Sequence, residues 1–133
     1  MSTLGVTVET LTRPEPAEHL RLGRAGEELA VRHVRSLGLV VLSRNWRCRD
    51  GELDLVATDG ALLIVFEVKT RSGDGFGLPA EAVTPEKQAR IRRCAHRWLR
   101  EFRVGWCPIR FDVIAIVWPG GARPRLRHLP GAF

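Results

Sequence analysis

Apolar positions first recur at helical spacing between Ala17 and about Leu37. Leu22, Ala25, Gly26, Leu29, Ala30, Val34 and Leu37 form one stripe, and Gly38 supplies the stop. The following segment, LVVLSRNWRC, starts apolar and β-prone and turns polar around Arg44 and Asn45, which predicts an opening strand and its exit. Two further β-prone runs, Gly51 to Thr58 and Ala61 to Lys69, flank Asp59-Gly60, a strong hairpin signal. A second helix opens at Pro85 and runs to about Phe102, with Ile91, Ala95, Trp98, Leu99 and Phe102 facing inward. Arg110 to Trp118 is nearly continuous in apolar residues, so it predicts a strand buried on both faces. A short basic strand, Arg125 to Leu129, follows. Helix, three strands, helix, strand is the order of an α/β domain around one sheet, its last crossover running parallel to the strand before it.

A two-residue turn at Asp59-Gly60 fixes a register in which Thr58 faces Ala61, Asp54 faces Val65 and Glu52 faces Glu67. Alternation then puts Leu53, Leu55, Ala57, Leu62, Ile64, Phe66 and Val68 on one face. Glu52, Asp54, Glu67 and Lys69 share the other with Val56, Leu63 and Val65. Asp54 and Glu67 become diagonal neighbours, roughly 7–8 Å apart at the backbone. Gathering like charges on one sheet face costs up to ~1 kcal/mol per facing pair, so a compensating cation is expected, with a solvated acidic edge as the alternative. Projected along the first helix, Glu27 lies at the edge of the apolar stripe beside Ala30 and Val34, while Glu28 points away. Such an edge carboxylate is more often ion-paired than a ligand.

Composition narrows the partner. Of the 133 residues, 21 are Lys or Arg and 15 Asp or Glu, a formal charge of +6 that suits a polyanion such as nucleic acid. From Lys87 to Arg127 there are eleven basic residues against Glu101 and Asp112, so the excess sits in the second half. Arg90, Arg93, Arg97 and Arg100 fall near one another on the second helix as a basic ridge, and Lys87 extends its inward stripe toward the acidic cluster. Three cysteines, without a CxxC pair, fit a reducing cytoplasm. No segment is apolar for the ~18 residues of a membrane span. Residues 1 to 16 lack a sustained period and read as a mobile leader before a single domain spanning 17 to 133. The glycine-rich stretch Ser72 to Gly77 reads as a loop that closes over a ligand or simply connects.

An Asp, about a dozen residues, then Glu-x-Lys on the next strand resembles the PD-(D/E)xK nuclease superfamily, through Asp54 and Glu67-Val68-Lys69. The likeness is closest to the YraN family of bacterial endonuclease-like proteins, through Gly26-Glu27, Arg44-Asn45, Gly51-Glu52-Leu53-Asp54-Leu55, Glu67-Val68-Lys69, Lys87, Arg110-Phe111-Asp112 and Ala132-Phe133. It spans about Gly23 to Phe133, with Leu53 standing where the superfamily's name has proline. The resemblance implies a restriction-endonuclease-like, Holliday-junction-resolvase-like core with a mixed sheet flanked by helices. It further implies hydrolysis of nucleic-acid phosphodiesters, of DNA with branched or otherwise processed structure, using Mg²⁺ or Mn²⁺, and a homodimer as the form some relatives adopt. Asp54, Glu67 and the Val68 carbonyl are the expected metal ligands, with Glu27 direct or through water and Lys69 as the catalytic cation. Glu52 and Lys87 are candidate additions, and Lys87, Arg71, Arg90, Arg93, Arg97 and Arg100 are the expected grip on the backbone. A non-catalytic nucleic-acid-binding module and a protein-interaction domain using the acidic face are the competing readings.

Overall fold

The computed structural model describes residues 16–73 and 83–133. Helix α1 (Pro16–Ser36) is followed by strands β1 (Val40–Cys48), β2 (Gly51–Thr58) and β3 (Leu63–Arg71), helix α2 (Pro85–Glu101), and strands β4 (Ile109–Val117) and β5 (Arg125–Leu129). The leader expected over residues 1–16 falls, up to residue 15, outside the described residues, as does the glycine-rich loop beyond Gly73. No helix among the described residues is long and apolar enough to cross a membrane.

Local chemistry sets the helix ends. Gly38 takes a left-handed φ of 83° just past α1, and its N–H donates to the Arg35 carbonyl at 2.9 Å. At the start of α2, the Thr84 hydroxyl accepts from the Lys87 N–H at 3.2 Å and Pro85 occupies the first turn.

The five strands lie in sequence order across one open sheet. All neighbours are antiparallel except β3 and β4, which the α2 crossover makes parallel, as expected from the sequence. One face packs Ala30, Val31 and Val34 of α1 on Leu55, Ala57, Ile64, Phe66, Ile114 and Ile116. The other packs Ile91, Cys94, Ala95, Trp98 and Leu99 of α2 on Leu53, Val56, Leu63, Val65, Phe111 and Val113. Each large side chain buried this way stabilises the fold by roughly 1.5–3 kcal/mol. The β4 strand is accordingly buried on both faces.

Several details differ from the sequence reading. Leu37 and Phe102 are 51% and 49% exposed because each lies just past the last residue of its helix, whereas Val31 and Cys94 are buried. Strand β1 does not end at Arg44 and Asn45: it continues to Cys48, with a bulge between Val41 and Ser43. Asn45 has a φ of 50°, and the β1 to β2 ladder skips it and Asp54 between the pairs Arg44 with Leu55 and Trp46 with Leu53. The pleat is re-phased there, so Leu53 joins the α2 side rather than following Leu55.

The hairpin register also differs. Thr58 pairs with Leu63, not Ala61, because the loop holds four residues, Asp59 to Leu62. The Asp59 carboxylate accepts from the N–H groups of Ala61 and Leu62, both at 2.8 Å, and the Thr58 hydroxyl donates to the Leu62 carbonyl. Lengthening a loop by two residues moves the pairing by two and leaves the paired side chains, Leu55 to Thr58 and Leu63 to Phe66, on their predicted faces.

Helix α1 crosses β3 at a point of close approach. A Cβ added to Gly26 would stand 2.0 Å from the Thr70 hydroxyl oxygen and 2.9 Å from Thr70 Cβ. Gly26→Ala is therefore expected to destabilise the protein by about 1–3 kcal/mol. Urea denaturation measures this, and a variant as stable as wild type would show that the helix can move off the sheet without loss.

Candidate functional site

The register places the acidic residues. The ladder of β2 and β3 ends at the Leu55 to Phe66 pair, and Asp54 and Glu67 are the residues just past that last rung, lining one cleft. Asp54 Oδ2 accepts from the Val68 N–H at 2.9 Å, which ties the carboxylate to β3 and leaves Oδ1 without a hydrogen-bond partner among the described residues. Glu67 is 7% exposed. Two ammonium groups meet its Oε2 atom, Lys87 from the first turn of α2 at 2.6 Å and Lys69 at 3.6 Å. Sequence reasoning left Lys87 as a possible addition, but the α2 crossover brings it to the centre.

Burial pushes the Asp54 carboxyl up to about 7, with the charges of Glu67, Glu52 and Glu27 adding to the effect and the Val68 hydrogen bond opposing it. Lys69 is drawn below its ordinary value, first by its hydrogen bond with Lys87 and then by burial. Burial acts on Lys87 in the same direction, but hydrogen bonds to Glu67 and Lys69 outweigh it and raise its value. The two ammonium groups are thus poised differently.

The other expected residues divide. Glu52 lines the same cleft of about 290 Å³ as Asp54, Glu67, Lys87, Arg90 and Cys94, and also lies 3.6 Å from Arg47. Glu27 is half-buried, and its Oε1 accepts from Asn45 Nδ2 at 3.2 Å, so it reaches Asp54 through its field rather than by contact. Of the basic ridge, Arg90 lines the cleft, Arg93 and Arg97 pair with Asp50, and Arg100 is exposed farther along α2. Arg71 is exposed at the end of β3.

Among the described residues, no three His, Cys, Asp or Glu side chains stand close enough to hold a metal ion by themselves. The donor chemistry nevertheless fits a hard divalent cation. Asp54 and Glu67 line one cleft, one Asp54 oxygen has no hydrogen-bond partner among the described residues, and burial, helped by the charge of Glu67, raises the Asp54 pKa to about 7. Lys87 now supplies the positive charge that Glu67 requires.

A family model described as "Uncharacterised protein family UPF0102" matches residues 26–116. The chain belongs to the UPF0102 family. It is 55% identical over 112 residues to a UPF0102 protein of Frankia alni, covering 84% of this chain and 93% of the relative. It is 50% identical over 122 residues to one from Acidothermus cellulolyticus, covering 84% and 92%. Against one from Rhodococcus opacus it is 50% identical over 117 residues, covering 88% and 99%. UPF0102 is the YraN-type family that the motifs resemble. The matched span of this UPF0102 chain contains Glu27, Asp54, Glu67, Lys69 and Lys87.

Two contacts escaped the sequence because they join distant segments. Asp112, fully buried on β4, takes Nε and Nη2 of Arg110 at 2.8 Å each, His128 Nε2 at 2.8 Å and the Gly131 N–H at 2.9 Å. Burial alone would raise its pKa, but the Arg110, Gly131 and His128 hydrogen bonds bring it below the ordinary value. With Nε2 of His128 donating to Asp112, its Nδ1 accepts from His33 on α1 at 3.1 Å, which links helix, sheet and tail. Cys48 and Cys94, 46 residues apart, bring their sulfurs to 3.5 Å beside the cleft.

The Asp54 carboxyl titrates near 7 in the folded protein against an ordinary 3.8. The folded state therefore binds its proton more tightly, and stability falls as pH rises between those values, the loss being complete above about 7. Asp54→Asn is expected to match wild type near pH 4 and to exceed it at pH 8 by up to about 4 kcal/mol. Urea denaturation at the two pH values checks this, and an equal difference at both would show that Asp54 ionises normally.

Proposed function

We propose that this UPF0102 protein is a metal-dependent nuclease that hydrolyses phosphodiester bonds of nucleic acid, DNA with branched or otherwise processed structure. The observation that carries the reading is the presence of Asp54 and Glu67 in one cleft with two lysine ammonium groups on Glu67. The spacing of Asp54 and Glu67-Val68-Lys69, and the helix that brings Glu27 near them, match the PD-(D/E)xK pattern and support the same reading.

Asp54 and Glu67 would hold Mg²⁺ or Mn²⁺, with the Val68 carbonyl as a further donor and Glu27 through water. The ion supplies Lewis acidity toward a phosphate oxygen and acidity to the attacking water. Lys69, held beside Glu67, would orient that water. Lys87, kept protonated, offsets the charge that grows on the phosphate oxygens in the transition state. Arg90 at the cleft wall holds the neighbouring phosphate.

With Mg²⁺ or Mn²⁺ and a panel of linear, flapped and four-way DNA, Asp54→Ala and Lys69→Ala are each expected to lower cleavage by about 10²-fold or more. Circular dichroism checks that the fold is kept. Undiminished cleavage by both variants would remove the site from the reaction. The 2.6 Å contact of Lys87 with Glu67 favours a second reading, a binding module in which lysine stands permanently where a metal would act. Binding with a steep salt dependence and no cleavage under either metal is its signature.

A further inference from the structure

Away from the acidic cleft, aromatic rings reach the surface among arginines. Phe102 lies 4.9 Å from Trp98 and 6.4 Å from Trp46, centroid to centroid, with its outer half in solvent. Four residues on, in the segment returning to β4, Trp106 is 87% exposed. Beside Phe102, through its contact with Trp46, opens a cleft of about 560 Å³ lined by Trp46, Arg47, Cys48, Arg97, Arg100 and Glu101. Arg100 is exposed at this cleft, Arg47 keeps 80% of its side-chain surface in water, and Arg103, next to Phe102 in the chain, is exposed too. Arg103 adopts a φ of 54°, a left-handed conformation that a glycine would take at less cost.

We propose that this aromatic and arginine surface binds a single-stranded arm of nucleic acid, its bases stacking on Trp106 and Phe102 and its phosphates meeting Arg47, Arg100 and Arg103. Indole and phenyl faces accept any base, and guanidinium groups suit phosphate oxygens, so the combination matches a single strand better than a duplex, whose bases are already stacked. An exposed tryptophan is otherwise an unrewarded apolar surface.

The surface is continuous with the acidic cleft. Helix α2 walls both, with Lys87, Arg90 and Cys94 in one and Arg97 and Arg100 in the other. From Lys87 to Arg100 is about 20 Å along the helix. Cys48 and Cys94 touch across the boundary, and Arg47 of one cleft pairs with Glu52 of the other. Resting on the nuclease reading, a strand seated on Trp106 and Arg100 would lead its junction with duplex to Asp54 and Glu67, which makes DNA with a single-stranded arm the preferred substrate class.

The test uses the full chain in EDTA, with fluorescence anisotropy of labelled oligothymidylate of about 12 nucleotides and of a blunt duplex of equal length. Trp106→Ala is expected to weaken oligothymidylate binding about tenfold while leaving duplex binding unchanged, and Trp106→Phe to restore most of it. Arg100→Ala is expected to reduce the salt slope by about one. A wild-type protein that ignores oligothymidylate, as a surface built for a protein partner would, overturns the proposal. So does binding indifferent to Trp106. The two readings fail separately. Trp106-dependent binding without cleavage under any metal removes the nuclease and keeps the strand site. Asp54-dependent cleavage that ignores both Trp106 and the presence of an arm does the reverse.

Discussion

The carboxylate of Asp59 governs the geometry at the far end of its hairpin. By accepting from two successive backbone N–H groups it closes a four-residue loop, and the register of β2 against β3 follows from that loop. Asp54 and Glu67 then come together just past the last paired residues, and the strands are not free to slip, because a one-residue shift would turn Leu55, Ile64 and Phe66 out of the core. Their repulsion is a cost that the apolar faces of the hairpin outweigh and that Lys69 and Lys87 reduce locally.

Around this fixed pair the two helices supply what the strands lack. Gly26 lets α1 come down on Thr70 at the end of β3. Glu27, one residue on, is thereby brought within electrostatic reach of Asp54. Thr84 and Pro85 start α2 so that Lys87 falls in its first turn, over Glu67. The same helix carries Arg90 into the cleft and Arg97 and Arg100 away from it, and the aromatic surface begins where α2 ends at Phe102. One helix thus connects a small acidic centre with a broader surface of opposite charge.

A second buried carboxylate has a different role. Asp112 is satisfied by Arg110, His128 and a tail N–H, so its charge is spent within the fold and holds β4, β5 and the chain end together. Among the described residues Asp54 has one hydrogen bond, and burial raises its pKa to about 7. The two acids differ in their hydrogen bonds more than in their burial, and their pKa values move in opposite directions accordingly.

The elements themselves were legible in the chain: the helix stop at Gly38, the helix start at Pro85, the two-sided β4 and the short basic β5 all show in patterns of near neighbours. The shared face of Asp54, Glu67 and Lys69 was also legible, since strand alternation survives an even change of loop length. Three things were not. Asp59-Gly60 reads equally as a two-residue turn, because the choice depends on where Leu62 and Leu63 find their partners. The central place of Lys87 required the crossover that lays α2 over β3. The contacts of His33 with His128, and of Cys48 with Cys94, join segments 95 and 46 residues apart. Periodicity and capping act over a few residues and are written locally. Charge pairing and burial depend on distance in space, which is settled only when the whole chain has packed.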